Sequence, residues 1–123
     1  MQILRAATVT VAIAITPFSS LAQATGDSTV QSLLSDCEAP SGSFDSAYCL
    51  GVIQGTRNVM GVLCYEIQQG NAGNSALAAD VSYITLGAAR QAFTNWAKDN
   101  PQQWDIHGNL GVIMALRNTF PCD

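Results

Sequence analysis

The chain has 123 residues, 48% of them hydrophobic, and a formal net charge of −4 from nine acidic and five basic side chains. An acidic balance with a single lysine, Lys98, argues against nucleic acid and against anionic membrane surfaces as partners. It permits a basic protein partner without identifying one.

Arg5 precedes an apolar run, Ala6 to Ile15, broken only by threonines. Pro17, Ser19 and Ser20 end the run, and Ala22-Gln23-Ala24 fits a small-x-small cleavage site. That order is the order of a secretory signal. The run is roughly ten residues, against the ~20 needed to span a bilayer. Residues 1–24 are therefore read as a signal peptide cleaved after Ala24, and residues 25–123 as one small exported domain. The rest of the chain has no second long apolar run.

The first helix is expected at about 28–37. Ser28 and Gln31 resemble a capping box, with Val30, Leu33, Leu34 and Cys37 at helical spacing. Glu38 to Ser43 is turn chemistry. The central helix, Phe44 to Tyr65, starts at a cap supplied by Asp45 or Ser43. Cys49, Val52, Ile53, Thr56, Val59, Met60, Leu63 and Cys64 fall on its apolar side, and Gly51 and Gly55 form a bare strip one turn apart. Each glycine costs about 1 kcal/mol against alanine inside a helix, so the strip is expected to admit the close approach of another helix.

Gln68 to Ala79 reads as a loop, and Val81 to Ile84 as a short extended piece. A third helix, 86–99, is capped by Thr85 and stopped by Asn100-Pro101. Leu86, Ala89, Phe93, Trp96 and Ala97 form its apolar face, and Arg90, Gln91, Thr94, Asn95, Lys98 and Asp99 its wet face. A fourth helix at about 106–119, capped by Asp105, buries Ile106, Leu110, Ile113, Met114 and Leu116. Gly108 and Gly111 either weaken it or allow close packing. Phe120-Pro121-Cys122 ends the chain in an extended segment. The expected fold is all-α, a compact domain of four helices.

Four cysteines, Cys37, Cys49, Cys64 and Cys122, in an exported domain of this size form a disulfide framework. Their separations of 12, 15 and 58 contain no close pair of the kind that holds zinc. Cys49 and Cys64 share the central helix roughly 22 Å apart, whereas a disulfide needs Cα atoms within about 7 Å. Two connectivities remain, of which Cys37–Cys49 with Cys64–Cys122 is preferred. The first bond closes a short loop, and the second ties the C-terminus to the far end of the central helix.

No catalytic set emerges. His107 is the only histidine, every cysteine has a structural use, and the acidic residues are scattered. No metal, cofactor or enzymatic activity is expected. Trp96 reads as core. Trp104 lies in a polar connection, where a partly exposed tryptophan suits a protein contact.

Several of these features together resemble the Rap/Tai type of immunity protein, which neutralises peptidoglycan amidase effectors of type VI secretion. They are the cysteine ending the first helix, Tyr48-Cys49-Leu50-Gly51-Val52-Ile53-Gln54-Gly55 opening the second, and Cys64 closing it. The Asn100-Pro101 break and the terminal Ala115-Leu116 … Phe120-Pro121-Cys122 complete the set. The resemblance covers nearly all of residues 28–122. It implies a periplasmic, disulfide-bonded helical homodimer that blocks the active-site cleft of an amidase, with no catalysis and no cofactor. The connection from Cys64 to Thr85 departs from the family in being longer and in lacking an early proline.

On this reading the partner-binding residues are expected on the wet edge of helix three and the connection to helix four, at Arg90, Thr94, Trp104, Asp105 and His107. The competing reading is an orphan periplasmic binding module, or an acid chaperone that exposes apolar surface when its carboxylates are protonated.

Overall fold

Side-chain caps start the first three helices. The Thr29 hydroxyl accepts from the backbone N–H of Ser32 and opens α1, Val30–Glu38. Ser43 accepts from Ser46 and opens α2, Phe44–Gln68, with Asp45 in its first turn. Thr85 accepts from Ala88 and opens α3, Leu86–Asp99. A short 3-10 turn, Pro101–Gln103, leads to α4, Gly108–Thr119. The computed structural model describes Ala12 and residues 28–123. The expected signal peptide and its cleavage point otherwise lie outside the described residues.

The fold is all-α, with four helices and no strand among the described residues. Val30, Leu33, Ile53, Met60, Phe93, Val112 and Leu116 are fully enclosed, so all four helices contribute to one core. Two glycines let α4 approach closely. A Cβ on Gly111 would collide with Val30 Cγ2 and stand 3.1 Å from the Trp96 ring, and one on Gly108 would stand 3.1 Å from Leu33 Cδ2. The close-packing reading of Gly108 and Gly111 therefore holds.

Two disulfides staple the bundle. Cys37–Cys49 joins the end of α1 to the start of α2, and Cys64–Cys122 joins the far end of α2 to the C-terminal tail. That tail forms an isolated antiparallel bridge between Ala79 and Pro121, where Asp80 N–H donates to the Phe120 carbonyl at 2.9 Å. The expected extended piece at Val81–Ile84 is a turn instead, with Val81 buried against Gly61.

Other expectations also need correction. The cap of α1 is Thr29, not Ser28. Helix α4 starts at Gly108 with His107 as its N-cap residue, so Asp105 caps nothing. Leu110, expected inside, is exposed, because the glycine face of α4 is the one that meets α1 and α3. Val59 is 61% exposed, and a Cβ on Gly51 or Gly55 would meet nothing within 4 Å. No other helix among the described residues packs on that strip.

Candidate functional site

The connection from α3 to α4 is held rigidly, and the chemistry that holds it is local. Asn100 turns its side-chain amide back to donate to the Trp96 carbonyl at 2.8 Å, which closes the end of α3. Pro101 supplies no N–H and a fixed φ, so it stops the helix and opens the 3-10 turn. The Trp104 indole N–H then donates to the Ala97 carbonyl at 2.7 Å. The first N–H groups of α1, which have no partner inside their own helix, reach across to this connection. Val30 N–H donates to the Ile106 carbonyl at 2.9 Å and Gln31 N–H to that of Trp104 at 3.1 Å. Thr29 and His107 form an isolated bridge there.

This frame presents part of the expected partner-binding set to solvent. Asp105 and His107 are exposed on the connection, Trp104 is half-buried, and Arg90 is half-exposed on α3. Thr94 is turned inward: it is 6% exposed, and its hydroxyl donates to the Gln91 carbonyl at 3.1 Å. Its expected place on the wet face is thus corrected, since a threonine can satisfy its hydroxyl within its own helix and pack its methyl inward.

A second surface lies on α2, away from the residues expected to bind a partner. Among the described residues eight large hydrophobics are exposed, and five of them lie on α2: Phe44, Tyr48, Val59, Val62 and Tyr65. Arg57 marks the border of this face. Its guanidinium turns aside to donate to the Ile84 carbonyl at 2.6 Å, which pins the turn at residues 82–83 against α2. Between that turn and α2 runs a groove of about 410 Å³ lined by Arg57, Val62, Tyr65 and Ser82 among others. Tyr83, at its edge in sequence, is 96% exposed. The signal that could have revealed this face was the run of apolar residues on two sides of α2. The cysteines fixed only which side the core takes.

Near the α1–α2 junction Glu38, Asp45 and Lys98 are surface groups, and Asp36 is half-buried. Lys98 pairs with Glu38 at 2.8 Å, an exposed contact of little energetic weight. Burial, and then the nearby charge of Asp45, holds the Asp36 carboxyl above its ordinary range. Among the described residues no cluster of His, Cys, Asp and Glu has the arrangement of a metal site.

The model of one protein family, the Rap1a immunity proteins, matches residues 29–122. Among curated proteins and among solved structures, nothing matches the chain. The matched segment takes in all four helices and all four cysteines, and immunity proteins act by binding a partner effector. This chain belongs to the Rap1a immunity protein family.

Proposed function

We propose that this chain is a periplasmic immunity protein that binds and inhibits a peptidoglycan amidase delivered by type VI secretion. The observation that carries the reading is the family match across the whole helical domain. The two disulfides suit an oxidising compartment, and the signal-like residues 1–24 supply the route to it. Inhibition here is occupancy: the bound protein covers the amidase cleft and takes no part in a reaction. In this proposal the protein is a homodimer and uses no cofactor.

The contact surface proposed is the α3–α4 connection, with Asp105, His107 and the outer side of Trp104 at its centre and Arg90 beside it. Thr94 supports that edge from within. The hydrogen bonds to α1 and Ala97 hold the connection in one shape before a partner arrives, which lowers the ordering cost of binding.

The test is a pull-down with the oxidised protein, residues 25–123, from producing cells, read by mass spectrometry. Stoichiometric capture of a peptidoglycan amidase supports the reading. Capture of nothing, or of many unfolded envelope proteins, sinks it. Asp105→Arg, a charge reversal at an exposed position, is expected to abolish capture while the protein stays folded; unchanged capture would remove the connection from the site.

A further inference from the structure

We infer that the outer face of α2 is where two copies of this chain meet, with their α2 helices antiparallel about a two-fold axis beside Gly55. The inference deepens the homodimer of the proposed function by giving it a surface, and it rests on that part of the reading.

The face is continuous. Phe44, Tyr48, Gly51, Gly55, Val59 and Val62 recur at steps of three and four residues, which places them on one side of a helix. It is the side opposite the buried Ile53, Met60 and Cys64. Phe44 is 82% and Val62 is 62% exposed. In a charged, water-facing helix this side would be polar. Here its only charged residue is Glu66, at its far end.

The face fits itself. A two-fold axis at Gly55 sets Tyr48 opposite Val62 of the second copy, and Gly51 opposite its Val59. Every member of the stripe except Phe44 then meets another member, and Phe44 meets Glu66. A valine facing a glycine is a knob facing a hole, and the open space around Gly51 and Gly55 is what such a knob requires. An isologous contact of this kind closes as a dimer and does not propagate.

Charge selects the same partner and the same orientation. Two copies of one acidic chain carry like net charge, so a face without charge adds no further repulsion where they meet. The charged residues of α2 are Asp45, Arg57 and Glu66, and Arg57 is turned away to Ile84. In a parallel pair Asp45 would face Asp45 and Glu66 would face Glu66. In the antiparallel pair Asp45 faces Tyr65 and Glu66 faces Phe44, so no like charges meet. The groove beside Val62 and Tyr65 lies at the level where Phe44 and Tyr48 of the second copy arrive. The exposed apolar side chains of α2, Phe44, Tyr48, Val59, Val62 and Tyr65, amount to on the order of 500 Å² per copy, against the ~800 Å² per partner of a standard interface.

The test is sedimentation of the oxidised wild-type protein and of Val59→Glu and Gly55→Arg. Both positions are open to solvent in the single chain, so both variants are expected to keep the wild-type circular dichroism. The wild type is expected to be a dimer, and each variant to dimerise about a hundredfold more weakly or not at all. The control Asn95→Glu, on the exposed side of α3, is expected to remain a dimer. Orientation is read by cross-linking: Gly55→Cys forms a covalent dimer, whereas Tyr48→Cys, about 21 Å from its counterpart in the antiparallel pair, does not. A monomeric wild type, a dimer indifferent to both variants, or self-linking by Tyr48→Cys overturns the inference. So does loss of amidase capture in both α2 variants of a protein that never dimerises, which would give the face to the effector. If instead the dimer and its dependence on α2 stand while no amidase is captured, the immunity reading falls and the interface survives.

Discussion

The Trp104 indole N–H donates to the Ala97 carbonyl across 2.7 Å, seven residues back along the chain. The bond ties the connection after Pro101 to the last turn of α3, and a half-buried ring thereby serves both the fold and the exposed surface beside it. Trp104→Phe keeps most of the ring and loses the donor. It is expected to cost about 1 kcal/mol, the net worth of one such bond. Trp104→Ala also removes the packing and is expected to cost roughly 2–3 kcal/mol, below the range for a fully buried tryptophan. Urea denaturation checks both values. The pair separates stability from recognition: a loss of effector binding shared by Trp104→Phe and Trp104→Ala points to the fold, and a loss confined to alanine points to the ring as a contact.

Two glycine-to-alanine changes are expected to have opposite signs. At Gly111 the new methyl meets Val30 and the Trp96 ring, so Gly111→Ala forces core side chains to move and costs about 1–3 kcal/mol. At Gly51 nothing lies within reach, so Gly51→Ala gains helix propensity and stabilises the single chain by about 0.5–1 kcal/mol. Thermal melts at protein concentrations low enough to keep the chain monomeric are the measurement. A destabilised Gly51→Ala monomer would mean that the strip is already occupied within the chain.

The legible parts of this fold are those whose instructions are local. Helix α3 begins and ends where Thr85 and Asn100-Pro101 place it, because a capping hydroxyl and a proline act within one turn. The start of α4 is not legible, because Asp105 looks like a cap while the carbonyls of Trp104 and Ile106 are committed to α1. Such pairing between distant segments leaves no local pattern. The disulfides were legible because helix geometry rules out Cys49–Cys64, and the preferred pairing of the two that remain is the observed one. For the candidate site, the exposure of Asp105 and His107 followed from a polar connection. The inward turn of Thr94 did not, since only its bond to the Gln91 carbonyl makes burial cheap. The outer face of α2 was hidden because an apolar residue such as Val59 is assigned to a core by default, and its exposure depends on where the other three helices sit.

The disulfides are expected to differ in weight. Cys37–Cys49 closes a separation of 12 residues and Cys64–Cys122 one of 58. On the loop-entropy argument the first contributes about 3 kcal/mol and the second about 4 kcal/mol, both through the unfolded chain. Serine pairs at 37/49 and at 64/122, compared by denaturant unfolding, are expected to rank in that order. The 64/122 pair should also free the tail bridge between Ala79 and Pro121, seen as faster amide exchange at Asp80, whose N–H depends on the Phe120 carbonyl. Slow exchange at Asp80 without the disulfide would show that the bridge holds the tail by itself.

The Cys37–Cys49 bond joins the end of α1, which carries Asp36, to the first turns of α2, which carry Asp45. Burial and then that neighbouring charge raise the Asp36 pKa above its ordinary value of 3.8. A raised folded-state pKa means that the native protein holds this proton more tightly than the unfolded chain does. The associated penalty is therefore absent below about pH 3.8, sets in as the pH rises through the folded value, and is complete at neutral pH. Asp36→Asn is expected to stabilise the protein at pH 7, by no more than about 0.5 kcal/mol for a site this exposed, and to have no stabilising effect once the pH falls below the ordinary carboxylate range. Asp45→Asn relieves the same repulsion but gives up a carboxylate at the N-terminus of α2, an interaction of about 0.3–1 kcal/mol, so its net effect at pH 7 is expected to be destabilising or nil. Denaturation of the two variants at pH 7 and pH 3 decides the matter: a gain for Asp36→Asn of equal size at both values would place its origin outside the ionised carboxylate.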